Sequence, residues 1–163
     1  MYIAAAVAVL VLCYSALRYC SDRNIEKQTA DYHEKQAKQT ADDYEKRIGD
    51  YTKIIRLNTG SVDNYWAYVK RAVAYEELKQ YDKAIADYTG AIRLNPNFAY
   101  IDRAKIYKEL GQYDKAIGDY TQAIQLHPDW ATLYGNRAEM YEKLGNSTQA
   151  AQDHKKALEL NKQ

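Results

Sequence analysis

A block of sixteen residues recurs four times along this chain at nearly even spacing, and few folds accommodate such a pattern. Tyr81–Pro96 reads YDKAIADYTGAIRLNP and Tyr113–Pro128 reads YDKAIGDYTQAIQLHP. Weaker copies start at Tyr44 (YEKRIGDYTKIIRLNT) and at Ser147 (STQAAQDHKKALELNK), so successive starts lie 37, 32 and 34 residues apart. A period of about 34 predicts stacked helical hairpins, each burying its apolar face against its neighbours, rather than one closed globule. Such stacks present binding surfaces, and partner class is the level of function the pattern speaks to.

Composition agrees with this reading. Two Pro and seven Gly in 163 residues are too few for a loop-rich β fold, and helix formers dominate. The net charge of +1 indicates no nucleic-acid partner and no acidic tail. The chain has 17 Tyr against a single Phe. Most of these tyrosines fall at fixed offsets inside the repeats, which assigns them to packing.

The first segment is different. Tyr2–Leu17 carries no charge; as a helix it would span roughly 24 Å, against roughly 30 Å for a bilayer core. Arg18 could snorkel and extend the span to Cys20. Tyr2, Tyr14 and Tyr19 suit the two interfaces. Residues 1–20 are therefore expected to form a transmembrane or signal-anchor helix, with a cleaved signal peptide as the rival. Arg18, Arg23 and Lys27 follow the apolar run and nothing basic precedes it. The expectation is thus a single-pass membrane protein with its repeats in the cytoplasm; the alternative is a periplasmic or lumenal array, or a secreted one after cleavage. Cys13 and Cys20 share a helix face, open to a crosslink, to acylation, or to service as small apolar fillers.

Residues 21–43 form a polar connector. Gln28–Lys38 (QTADYHEKQAK) is followed at once by Gln39–Gly49 (QTADDYEKRIG). An eleven-residue period returns equivalent residues to nearly the same helix face, and predicts a long helical stalk; the alternative is a frayed linker. His33 has no second metal ligand nearby. Residues 44–64 read as a degenerate repeat, a capping helix and a turn: Arg47 stands where the strong copies have alanine, while Ile48, Tyr51, Ile55 and Leu57 keep an apolar face.

From Tyr65 onward the chain resembles tetratricopeptide repeats. That family places small or aromatic residues at positions 4, 8, 11, 20, 24 and 27 of a helix pair and Pro at 32. The first unit supplies Tyr68, Ala72, Tyr75, Ala84, Tyr88, Ala91 and Pro96. The second supplies Tyr100, Ala104, Tyr107, Ala116, Tyr120, Ala123 and Pro128, and the third Tyr134, Ala138, Tyr141, Ala150, His154, Ala157 and Lys162. The third departs at His154 and Lys162. The resemblance implies an all-α array of antiparallel helix hairpins, an α-solenoid of three units over residues 65–96, 97–130 and 131–163.

Particular residues fit that array. Ala at positions 8, 20 and 27 allows close helix approach, and Gly111 and Gly145 suit the turn between helices. Arg71, Arg103 and Arg137 recur at position 7 and Asp87, Asp119 and Asp153 at position 23, a pairing expected to be architectural. Two residues fewer separate Pro96 from Tyr100 than Pro128 from Tyr134, which predicts a shortened turn between the first and second units. Trp130 is expected to plug packing at the turn before the third.

The resemblance also implies a concave face made by the first helix of each unit. Its candidates are Trp66, Val69, Lys70, Val73 and Glu77, then Ile101, Asp102, Lys105 and Lys108, then Thr132, Asn136, Glu139 and Lys143. This mixture suits an extended or helical peptide. Chaperone-binding members hold a C-terminal carboxylate with Lys, Asn and Arg; Val69, Val73 and Asp102 stand at three of those positions here. No phosphate loop, dinucleotide turn or nucleophile elbow is present, so no catalytic residue, cofactor or metal is expected and the chain is read as a non-enzyme. The expectation is a membrane-anchored adaptor or scaffold that binds a protein or peptide partner in assembly or recruitment, with homo- or hetero-oligomers open. The alternative is an accessory subunit of a larger membrane complex, contacting it through the anchor and connector.

Overall fold

The protein is described from a computed structural model covering residues 2–57 and 60–162, with side chains from residue 26 onward except at 61. Among the described residues all regular structure is helical, in the order α1 (Tyr2–Leu57), α2 (Ser61–Glu77), α3 (Tyr81–Leu94), α4 (Ala99–Glu109), α5 (Tyr113–Leu126), α6 (Ala131–Lys143) and α7 (Ser147–Leu160). The chain divides into two compact units, residues 1–43 and 44–163.

From Tyr2 onward the first unit lies within α1. Its side chains from Glu26 to Thr40 are exposed, as the polar connector sequence dictates. The expected membrane anchor is corrected: among the described residues no helix is long and apolar enough to cross a membrane. The uncharged run ends after Leu17, short of the roughly 20 apolar residues a span requires, and α1 continues from Arg18 as a charged helix. A single-pass protein with cytoplasmic repeats, and membrane contact through the first helix, are therefore not supported. The expectations for Cys13 and Cys20 concern side chains outside the described residues.

In the second unit, three hairpins (α2–α3, α4–α5 and α6–α7) stack in sequence order. The alanines decide how close the helices come. Ala72, Ala84 and Ala91 are fully buried in the first hairpin, as are Ala104, Ala116 and Ala123 in the second. Their small side chains leave room for Tyr88 and Tyr120, each 1 % exposed. Gly90 serves the same end: a Cβ there would meet the Tyr68 ring at 2.9 Å.

Each hairpin turns through one residue with positive φ. Gly111 (68°) and Gly145 (76°) fill this place in the second and third units, and Lys79 (57°) fills it in the first. The following N–H closes the helix: Gln80, Gln112 and Asn146 donate to the carbonyls of Tyr75, Tyr107 and Tyr141, each at 2.8 Å, the long-reach bond of a Schellman cap.

The connectors between units hold a difference from expectation. Residues 95–98 and 127–130 are equal in length, four residues each. The two missing residues come from the start of α4 instead: Tyr100 is its second residue, whereas Tyr134 is the fourth of α6. The first N–H groups of a helix have no intrahelical partner, so residues lost there break no bond of the helix interior.

Candidate functional site

The recurring arginine and aspartate make one bonding pattern in every unit. Arg71 donates Nε and Nη2 to the two carboxylate oxygens of Asp87, both at 2.7 Å. Arg103–Asp119 and Arg137–Asp153 repeat this two-pronged contact at 2.7–2.8 Å. Each arginine also donates Nη1 to a threonine of the preceding helix: Thr52, Thr89 and Thr121 at 2.9, 2.7 and 3.0 Å. One guanidinium thus closes its own hairpin and stitches it to the previous one. The aspartates are buried, and the bond to each carboxylate raises the arginine's basicity further. These residues are structure, not site.

The face shared by α2, α4 and α6 holds the candidate site. Trp66 is 52 % exposed, and Lys70, Glu77, Lys105, Thr132 and Lys143 are exposed as well. Asp102, Lys108, Asn136 and Glu139 are half-buried. Val69 is buried within the first hydrophobic cluster, Val73 packs against it, and Ile101 packs against the second cluster. Val69 is thus part of the interior, while Val73 and Ile101 keep part of their surface on the face. Lys105 donates to Asp102 one turn back at 2.9 Å. Lys108 donates to Glu139 at 2.6 Å and so ties α4 to α6.

Asp102 is the electrostatic centre of this face. Burial first and the Asp102 charge second push the Tyr65 hydroxyl up. The same two causes lead for Tyr88. Tyr120 is pushed up to about 12 by burial, then by Glu139 and Asp102. Glu76 belongs here too, although the sequence pattern did not single it out. Tyr88 Oη donates to its carboxylate at 3.2 Å. Burial raises the Glu76 carboxyl; the Tyr88 bond opposes this, and Glu109 and Asp102 add to the rise. The available signal was its place at position 12, beside the chosen positions 9 and 13. His154 and Glu142 repeat the contact at 3.0 Å in the third unit, exposed.

Trp130 stacks on His127 with ring centres 4.2 Å apart, and Phe98 lies 5.8 Å from both. The trio packs beside the connector that leads into α6. Among the described residues no group of His, Cys, Asp and Glu is arranged to hold a metal ion.

A helix-hairpin array with a paired Arg and Asp in each unit and alanine at each close approach defines a repeat-scaffold class. The chain belongs to the tetratricopeptide repeat family, whose profiles match residues 65–98, 104–145 and 131–163. Among solved structures it is similar to MamA, with 30 % identity over 71 % of this chain and 67 % of that one and a TM-score of 0.64. It is similar also to the TPR domain of Arabidopsis OM64: 31 % identity over 64 % of this chain and 88 % of that domain, TM-score 0.57. The second TPR domain of Spaghetti (RPAP3), solved bound to the HSP90 peptide SRMEEVD, matches with 28 % identity over 59 % of this chain and 91 % of that one, TM-score 0.54. No curated protein matches the chain.

Proposed function

We propose that this protein is a non-enzymatic adaptor whose α2–α4–α6 face receives a peptide or helical segment of a protein partner, in assembly or recruitment. The observation that carries the reading is the set of half-buried carboxylates Glu76, Asp102 and Glu139, with lysines beside them and the buried tyrosines Tyr65, Tyr88 and Tyr120 behind them. Groups of this kind can exchange their present partners for those of a ligand. The peptide-bound RPAP3 domain supports the same use of the fold.

The ligand differs in charge from that of RPAP3. SRMEEVD is acidic, whereas Asp102, Glu76 and Glu139 share one face here, and two of the lysines beside them are already paired. Val69 and Val73 are apolar at positions where a carboxylate clamp needs polar donors. The partner segment accordingly brings a cation to Asp102 and Glu76. Selection of displayed peptides on the full chain tests this. Lys- or Arg-bearing peptides are expected to be enriched and to lose binding to Asp102→Lys. Enrichment of acidic C-terminal peptides, or unchanged binding to Asp102→Lys, would sink the reading.

A further inference from the structure

The array begins with a half-unit, and the repeat itself specifies what the other half would be. Thr52 accepts from Arg71 as Thr89 accepts from Arg103 and Thr121 from Arg137. The end of α1, from Tyr44 to Leu57, therefore stands in the register of a second helix such as α3 or α5. In that register Asp50 corresponds to Asp87 and Asp119, Tyr51 to Tyr88 and Tyr120, and Ile54 to Ala91 and Ala123. These are the positions that face a hairpin's own first helix. Here no first helix precedes: α1 runs without a turn from Tyr2 to Leu57. Sixteen residues before Asp50, where the other units place arginine, the sequence has Glu34, which cannot pair with a carboxylate.

The seat of that absent helix is an open cleft of ≈ 390 Å³ lined by Tyr51 and Ile54 of α1 and by Asp63, Trp66, Ala67 and Lys70 of α2. Ala67 is in the register of Ala99 in α4 and Leu133 in α6, which are buried. Tyr51 is half-buried where Tyr88 and Tyr120 are enclosed. Asp50 remains 58 % exposed, with only the weak neighbour Lys53 at 3.7 Å.

We infer that this cleft is a second docking site, which adjoins the α2–α4–α6 face at Trp66 and Lys70, and that it takes an amphipathic helix of a partner protein carrying an arginine for Asp50. The three helices that fill equivalent seats define its sequence: Tyr68–Tyr75, Tyr100–Tyr107 and Tyr134–Tyr141 all read YxxRAxxY. In each, the arginine meets the aspartate with two parallel bonds, the geometry that guanidinium alone offers a carboxylate. Arg47 and Ile54 replace alanines that would allow close approach, so the incoming helix sits further out than α2 does on α3. Arg47 is drawn along α1, its guanidinium 5.3 Å from the centre of the Tyr44 ring, and leaves the cleft open.

The chain's own first-helix sequence is a ready probe. A fluorescein-labelled peptide of the sequence Phe98–Gly111 is titrated with the full chain and followed by anisotropy. Saturable binding is expected, weakened about tenfold by Asp50→Asn, as loss of a charge-assisted pair implies. Replacing the peptide's arginine with glutamine should weaken it equally. Glu159→Gln, at an exposed carboxylate of α7 outside both faces, should leave it unchanged. Binding weakened by Asp102→Asn but not by Asp50→Asn would put the peptide on the α2–α4–α6 face, which overturns this proposal and leaves the adaptor reading standing. Absence of saturable binding at millimolar peptide, or equal binding to Asp50→Asn, overturns the proposal. So does self-association in sedimentation equilibrium that Trp66→Ser abolishes while the peptide fails to bind, since the seat would then belong to a second copy.

Discussion

The end of α1 and the interior helices α3 and α5 carry the same Asp-Tyr-Thr triplet, at 50–52, 87–89 and 119–121, yet only the interior copies are enclosed. Asp87 and Asp119 each hold an arginine by two bonds, and Tyr88 and Tyr120 are nearly inaccessible. Asp50 is exposed and Tyr51 half-covered. Only the threonine does the same work in all three places, because its partner comes from the helix that follows rather than the one that precedes. A repeat residue's role is thus set by which neighbour it faces, and the ends of an array reveal that direction. The far end makes the converse point. Asp153 is paired with Arg137, but the triplet there reads Asp-His-Lys, and Lys155 cannot accept from a further arginine. Stacking through this bond stops at α7.

The sharpest way to break the comparison is to remove the aspartate at both places. Asp119→Ala leaves Arg103 without its carboxylate in a mostly buried site, and should cost about 3–5 kcal/mol. Asp50→Ala should change stability by no more than about 0.5 kcal/mol. Urea denaturation of both variants checks this; equal losses would mean that α1 is as tightly integrated as α5. Next in size is Ala116→Leu, which overpacks the second hairpin at a cost of about 1–3 kcal/mol. Its counterpart Arg47→Ala, in the same register on α1, should be close to neutral, because no helix is packed there. A melting curve unmoved by Ala116→Leu would contradict alanine-limited packing.

Much of this contrast could be read from the sequence. The alanine positions, the recurring Arg and Asp, and the glycine turns at 111 and 145 follow from spacing alone, because close packing and left-handed backbone each admit few residue types. The degenerate character of the stretch after Tyr44 showed in Arg47. The threonine stitch was also present as a letter in three of four copies, but a threonine beside a tyrosine carries no signature until the arginine's third donor is seen to need an acceptor. Lys79 was hidden for the opposite reason: nothing in a lysine announces positive φ. The shortened α4 was legible as a deletion but not as a place, since counting residues between Pro96 and Tyr100 does not say which element gives them up. On the candidate face, the burial of Val69 was not legible, because helical phase separates exposed from buried positions poorly where a third element covers the helix flank. The apolar leader was read from composition over too short a run.

Smaller effects sharpen the comparison further. Thr121→Val removes the acceptor of Arg137 Nη1 and should cost about 1 kcal/mol. Thr52→Val should cost no more, and should loosen α1 selectively, seen as faster amide exchange in Tyr44–Leu57 with the three hairpins unchanged. Lys79→Gly relieves a side chain held at φ 57° and should gain about 0.5–1 kcal/mol, whereas Gly111→Ala should lose a similar amount.

The smallest effect separates a covered contact from its exposed counterpart. Tyr88–Glu76 and His154–Glu142 join the same two positions of a hairpin; the first is half-covered and the second exposed, and burial chiefly holds Glu76 above its ordinary value of 4.5. In the unfolded chain Glu76 gives up its proton near that value; in the folded chain it does so at higher pH. Between the two the folded state binds more protons, so stability falls as pH rises through that window and stays lowered above it. Acidification from neutrality toward pH about 5 should therefore stabilise the array through this group. Glu76→Gln should remove that slope and raise stability slightly at neutral pH. Urea midpoints for the two proteins across the acid range provide the measurement. An unaltered slope would place Glu76 in solvent.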